Sequence, residues 1–372
     1  MKILFIIETL GRGGAERVLV NTLPELQKLG IDCEVAILFK IDDLAKELED
    51  NGIKVHKLEL SYKWNIFEGI YKVFTLVKNN RYDIVHAHLF FAYFYVGLSK
   101  LFYSNIKTIT TFHNLGYATY PANTFLKKIR KKIDTFIIKK FFDKTTAVSL
   151  AVQKHYKKHF RLGTIDIIFN SFPIAELEKY ECNNSHLALE KYMSSSNDDF
   201  IILTPGRLVK EKGHKYLIES AKILNKKYSN FTFLFAGKGP LESHLKKSIL
   251  PNIKLIGELE HSELMRLYKE VDLIVIPSTH EAFGLVVGEA MIMGKGIVAT
   301  NVDGIVEMIE NEKEGLLVSS KDNQALANSI EKLYQDSELK QTLANNAKEK
   351  IKQFDTKVIA KQWKKYYKEL LE

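Results

Sequence analysis

Short apolar runs alternate with amphipathic stretches along most of the chain. Ile3 to Ile7 is an apolar run framed by Lys2 and Glu8, and it predicts a buried strand over Lys2 to Glu8. From Ala15 to Leu29 the apolar positions return every three or four residues, the period of a helix with one buried face. Asp32 to Phe39 reads as a second strand and Leu44 to Asn51 as a second helix, so the order is βαβα and the strands are expected to run parallel. Further strands are predicted at Ile84 to His86, Thr108 to His113, Thr145 to Ser149 and Ile165 to Phe169.

Between Ser171 and Asp199 the periodicity stops, and Asn183-Asn184-Ser185 and Ser194-Ser195-Ser196-Asn197 are connecting-segment clusters. After Phe200 the alternation restarts, with strands at Ile201 to Leu203, Thr232 to Ala236, Ile253 to Ile256, Leu273 to Ile276 and Gly296 to Ala299, and a helix over His214 to Tyr228. A chain of 372 residues suits two such domains better than one. The expected division is a Rossmann-like domain over 1–171, a linker over 172–199, a second Rossmann-like domain over 200–355 and a terminal helix over 356–372. That helix repeats Val358, Ile359, Trp363, Tyr366, Tyr367 and Leu370 and must pack on something.

Composition narrows the class. With 46% hydrophobic and 27% charged residues the chain is expected to fold rather than stay disordered. Cys33 and Cys182 stand far apart and outside any Cys/His cluster, so buried reduced thiols are expected, not a disulfide framework or zinc site. The first apolar run is too short for a signal peptide, and the longest one, Leu89 to Leu98, stops at Ser99-Lys100, short of the roughly 18 residues a membrane span needs. A cytoplasmic protein, peripheral at most, is expected.

The net charge of +9 is concentrated. Lys127 to Arg161 holds twelve Lys or Arg against Asp134 and Asp143, a local excess of +10. Phe125, Leu126, Ile129, Ile133, Phe136, Ile137 and Phe141 interleave with those charges at helical spacing. Residues 125–161 therefore point either to a solvated helix face or to contact with an anionic membrane surface. No RNP, KH or zinc-finger pattern accompanies the charge, so nucleic acid is not expected as a partner.

The chemistry concentrates after the strand at Leu273. Glu281-Ala282-Phe283-Gly284-Leu285-Val286-Val287-Gly288-Glu289 follows a strand and a loop and opens a helix. Phe283, Gly284, Leu285 and Val286 would offer backbone N–H groups at a helix N-terminus, a seat for a diphosphate. Glu281 then lies on the loop near a leaving group, and Glu289, about two turns on, can accept ribose hydroxyls.

This arrangement closely resembles the retaining GT-B glycosyltransferases of family four, marked by an E-x7-E motif and common in bacterial cell-surface polysaccharide and lipid-linked glycan synthesis. The resemblance covers nearly the whole chain and implies two Rossmann-like domains facing across a cleft, with the terminal helix returning to the first. It implies that Arg207 and Lys212, in Gly206-Arg207-Leu208 and Lys210-x-Lys212-Gly213, grip the donor diphosphate. With no Asp-x-Asp pair in the sequence, those cations and the helix N–H groups are expected to neutralise the leaving group without a metal or other cofactor. Gly11-Arg12-Gly13-Gly14 looks like the family's glycine loop, with Gly13 and Gly14 approaching the donor. Its spacing is not that of a nicotinamide-binding turn, although Asp32 lies about twenty residues on. His113 matches a histidine facing the transferred sugar, and His86 and His88 match family positions read as structural or acceptor-side.

Gly237, in Ala236-Gly237-Lys238-Gly239-Pro240, resembles the second domain's glycine turn, and Asp303-Gly304-Ile305-Val306-Glu307 its late loop with Val306 in place of proline. Phe169-Asn170-Ser171 lacks the family's glycine after the asparagine, so Asn170 itself is expected to take positive φ. The activity implied is transfer of a hexose or N-acetylhexosamine from a nucleotide diphosphate sugar, UDP favoured over GDP, to a glycan or lipid-linked acceptor with retention of configuration. A sugar-nucleotide epimerase of similar architecture and a non-catalytic membrane-binding module stay open as alternatives. Sugar, linkage, acceptor and oligomeric state are not legible in the residues.

Overall fold

A computed structural model describes residues 1–103, 106–119, 124–182, 189, 191–192 and 199–372. Its contacts divide the chain into a first unit, Met1–Pro173 with Phe354–Glu372, and a second unit, Ile174–Gln353.

The first unit holds β1 (Lys2–Ile7), β2 (Asp32–Ile37), β3 (Lys54–Lys57), β4 (Ile84–His88), β5 (Lys107–Phe112), β6 (Lys144–Ala147) and β7 (Asp166–Ile167). They pair in parallel in the order β3-β2-β1-β4-β5-β6-β7. The second unit holds β8 (Phe200–Pro205), β9 (Phe231–Ala236), β10 (Ile253–Gly257), β11 (Leu273–Ile276), β12 (Gly296–Thr300) and β13 (Leu316–Val318). Here the order is β10-β9-β8-β11-β12-β13, again parallel. Both sheets reverse strand order beside their first strand, between β1 and β4 and between β8 and β11. At such switch points the loops after the two strands part and leave a crevice at the carboxyl ends.

Central strands such as β8 (Phe-Ile-Ile-Leu-Thr-Pro) are buried at every residue, as helices on both faces of a parallel sheet require. Two edge strands escaped the apolar pattern: β3 carries Lys at both ends, and β13 is only three residues long. The strand expected over Ile165 to Phe169 is the two-residue β7, and the apolar run at Leu89 to Leu98 is the buried helix Phe90–Ser99.

The expected boundaries shift. Ile174–Leu177 forms a short helix packed on the helix Leu285–Ile292. Leu189 N–H donates to Glu270 Oε2 at 2.8 Å, and Lys254 Nζ to the Tyr192 carbonyl at 2.6 Å. Much of the segment expected to be linker thus belongs to the second unit, because its backbone groups find partners there. The Asn183-Asn184-Ser185 and Ser194-to-Asn197 clusters and the Cys182 side chain lie outside the described residues and atoms; Cys33 is buried.

The terminal helix Thr356–Leu371 belongs to the first unit. Phe172 N–H donates to the Phe354 carbonyl and Thr356 N–H to that of Phe172, each at 2.9 Å, handing the chain back beside β7. Ile359, Ala360, Trp363, Tyr367 and Leu370 then join Ile3, Phe5 and Leu19 in the first core.

Candidate functional site

In the second unit, loops after β8 and β11 converge at the switch point. The β8 loop runs through Gly206, Arg207 and Lys212 to Gly213, whose φ of +69° and close neighbour make it irreplaceable: a Cβ there would lie 1.9 Å from the Pro277 carbonyl oxygen. Thr279 N–H donates to the Glu211 carbonyl at 2.7 Å and fastens the two loops. Gly237, after β9, packs its backbone against the Gly206 carbonyl in the same cluster.

These loops bring the predicted residues together. Lys212 Nζ lies 2.6 Å from Glu281 Oε2, a pair only 21% and 14% exposed. Ser278 Oγ donates to the same carboxylate oxygen at 3.5 Å. The Arg207 guanidinium is exposed and has no partner among the described residues. Phe283 is buried, and Gly284, at φ +91°, starts the helix Leu285–Ile292 without a side-chain cap. The N–H groups of Leu285 and Val286 therefore have no acceptor among the described residues, as a first helical turn leaves them. The switch point thus offers an exposed cation, a paired cation and two N–H donors without an acceptor among the described residues, groups of the kind that bind an anion.

Glu289 is held from two sides. Tyr268, fully buried, donates to Oε2 at 3.2 Å, and His261 Nε2 lies 3.2 Å from Oε1. Sequence reasoning missed both partners. The legible signal was their spacing: seven positions apart on the helix His261–Glu270, they share a face. Gly304 donates to the Glu281 carbonyl at 2.9 Å, and the late loop presses on Ala282 and Phe283 from below.

In the first unit, the loop after β1 carries Gly13 and Gly14, and Gly14 opens the helix Gly14–Lys28. Glu16 folds back over Gly13, accepting from Thr9 Oγ1 at 3.2 Å, and Glu8 accepts from the Phe91 N–H at 3.0 Å. Burial pushes both carboxyls up. The glycine loop is thus lined by carboxylates of its own chain. Asp32 starts β2 rather than ending it, at the wrong end of the strand for a cofactor ribose. Asn170 is buried and is not among the positive-φ residues, against expectation; its neighbour Ser171 bonds Thr22 Oγ1 at 2.8 Å and ties the segment to the helix Gly14–Lys28.

His113 follows β5, and its Nε2 lies 2.8 Å from Nδ1 of the buried His88. His86, also buried, bonds Tyr367 Oη at 2.9 Å and Thr111 Oγ1 at 2.7 Å. Burial pushes His113 down to about 4 and holds His88 well below its ordinary range, so both rings are neutral near pH 7. Two neutral rings share one proton in the 2.8 Å bond. The outer nitrogens, His88 Nε2 and His113 Nδ1, are therefore complementary: where one donates, the other accepts. Among the described residues no group of three or more His, Cys, Asp or Glu could hold a metal ion, and no helix is long and apolar enough to cross a membrane.

Two parallel α/β units of this strand order have the GT-B fold. The family described as Glycosyl transferases group 1 matches residues 190–350, and Glycosyltransferase Family 4 matches residues 12–175. The chain belongs to these glycosyltransferases and is an enzyme of that kind. It is 31% identical over 210 residues to the capsular polysaccharide biosynthesis glycosyltransferase CapM of Staphylococcus aureus, a match spanning 55% of this chain and only 54% of that protein. An uncharacterized glycosyltransferase of Methanocaldococcus jannaschii is 24% identical over 91% of this chain and 90% of its own. The crystal structure of Anabaena HepE in complex with UDP and glucose superposes with a TM-score of 0.83 at 22% identity, covering 99% of this chain and 100% of that one.

Proposed function

We propose that the enzyme transfers a hexose or N-acetylhexosamine from a UDP-sugar to a glycan or lipid-linked acceptor, with retention, in cell-surface polysaccharide synthesis. The observation that carries this is the second-unit switch point, where Lys212 pairs with Glu281, Leu285 and Val286 open a helix with N–H groups that have no acceptor among the described residues, and Glu289, on that helix, is held from two sides. Capsule synthesis by CapM and the UDP and glucose bound by HepE support the donor and pathway.

In this reading the diphosphate enters between Arg207 and Lys212, and the Lys212–Glu281 pair opens to admit it. The anomeric C–O bond breaks with its electrons passing to the diphosphate oxygen, where charge develops and the cations bind more strongly. The acceptor oxygen, on the first unit, bonds to the anomeric carbon from the same face, and its proton passes to the departing diphosphate. His113 faces the transferred sugar. The donor role of Gly13, Gly14 and Gly237 is to let backbone come close.

Calorimetric titration with UDP and GDP tests the seat. UDP binds the wild type, and Glu289→Ala weakens it by about 1–3 kcal/mol through loss of charged hydrogen bonds; equal affinity in the variant removes the ribose role. Proton NMR of the product then reads the anomeric configuration, and an inverted product overturns retention.

A further inference from the structure

The first unit contains a cavity of about 250 Å³ next to His113. Its walls are aromatic: Phe112 and Tyr156 stack with ring centroids 3.9 Å apart, and Tyr117 meets Tyr156 edge-on. Lys127 and Arg130, from the helix Phe125–Phe141, stand over it. Arg130 is pinned: its guanidinium lies 3.7 Å above the Phe90 ring, and its Nε 3.9 Å from Asp134 Oδ2. Asp134 is 2% exposed; Oδ2 accepts from Tyr117 Oη at 3.1 Å, while Oδ1 has no partner among the described residues. Lys127 forms no side-chain pair among the described residues. The single carboxylate therefore leaves a cation in excess at the mouth. Just outside, burial pushes His155 and His159 down, helped at His155 by His159 and then Lys131 and Lys158, and at His159 by the same two lysines.

A neutral glycan would use the aromatic walls but not the two cations. We propose that this cavity is the acceptor subsite and takes a sugar bearing a phosphate, its ring on the Tyr117 and Tyr156 wall, its phosphate on Lys127 and Arg130, and a free hydroxyl toward His113. The inference rests on the reading that the first unit holds the acceptor, and it adds the acceptor's chemistry. Tyr117 and Arg130, both hydrogen-bonded or paired to Asp134, are positioned by that buried carboxylate, which explains why an acid stands in a site for anions. The phosphate has two sources, a soluble sugar phosphate or a lipid phosphosugar.

The test is calorimetry on the full chain with UDP saturating, so that the second-unit seat is filled. Glucose, galactose and N-acetylglucosamine 1-phosphates are compared with the free sugars, inorganic phosphate and the octyl esters of the same phosphates. At least one sugar phosphate is expected to bind about 10-fold or more tightly than its free sugar, and Lys127→Gln, on an exposed position that folding tolerates, and Arg130→Gln each to weaken it about 10-fold. A further gain from the octyl chain identifies a lipid as the source, and equal affinity a soluble acceptor. Equal binding of phosphorylated and free sugars, no binding by any of them, or binding indifferent to both substitutions overturns the proposal. If UDP itself does not bind, the donor reading is what fails.

Discussion

Asp134 carries a measurable signature whatever the acceptor proves to be. Burial raises its carboxyl to about 6, against the opposing pull of Arg130 and Tyr117. A carboxyl raised in the folded state penalises folding once it must ionise: the penalty is absent below about pH 4, grows toward pH 6 and is constant above. Asp134→Asn is thus expected to raise the melting temperature above pH 6 and not at pH 4, the gain being of order 1–3 kcal/mol; a pH-independent difference between the two proteins contradicts the assignment. His88 makes a second case. Because its bond to His113 fixes which nitrogen of His113 carries the proton, His88→Ala is expected to lower kcat about 10- to 100-fold with KM nearly unchanged, and His88→Asn, which keeps a hydrogen-bonding group there, to recover part of it. A KM effect alone marks His88 as mere packing. Arg207, without a partner among the described residues, is expected to act as charge develops: Arg207→Ala lowers turnover by on the order of 10² with a smaller change in UDP affinity.

At the scale of the element, the helix Phe125–Phe141 carries two apolar sets. Ile137, Ile138 and Phe141 are buried, whereas Phe125 and Leu126 are each 76% exposed and Phe136 61%. Phe125, Ile129, Ile133 and Phe136 follow one another at helical spacing, so an apolar stripe faces outward beside Lys128 and Lys132. We propose that this stripe enters an anionic membrane surface. With about 1 kcal/mol per lysine near such a surface, Lys128→Glu with Lys132→Glu is expected to reduce sedimentation with acidic liposomes, and Phe125→Ser with Leu126→Ser to do so even at low salt. Wild-type protein that ignores such liposomes at low salt leaves only a solvated face. The basic stretch is not a single helix: after Phe141 it continues through β6 and the helix Leu150–Phe160.

At the scale of the molecule, the two units have separate cores, one including the terminal helix and one built around β8, β9 and β11. UDP at about 100 times its dissociation constant is expected to stabilise the second unit by roughly 2.7 kcal/mol. Scanning calorimetry should show one transition moving with UDP; Trp363→Ala, which truncates a side chain of the first core, should lower the other by about 3–5 kcal/mol. Turnover is expected to survive EDTA, since Arg207, Lys212 and helix N–H groups supply the positive charge; strict metal dependence contradicts that reading.

The residues alone determined the alternation of strands and helices, the two-domain division and the Glu281-to-Glu289 motif, because parallel strands and a strand-loop-helix seat each need a particular local pattern. Arg207, Lys212 and His113 were legible only through resemblance, since a lone cation or histidine carries no period. Tertiary structure decided the rest. Edge strand β3 buries too little to show an apolar run, and β13, though apolar, is only three residues long. Ile174–Leu177 joined the second unit because its packing partner, Leu285–Ile292, lies more than a hundred residues away. His261 and Tyr268 reach Glu289 across 28 and 21 residues and His88 reaches His113 across 25, and a pair formed by neighbouring elements is fixed by how those elements pack rather than by any spacing along the chain.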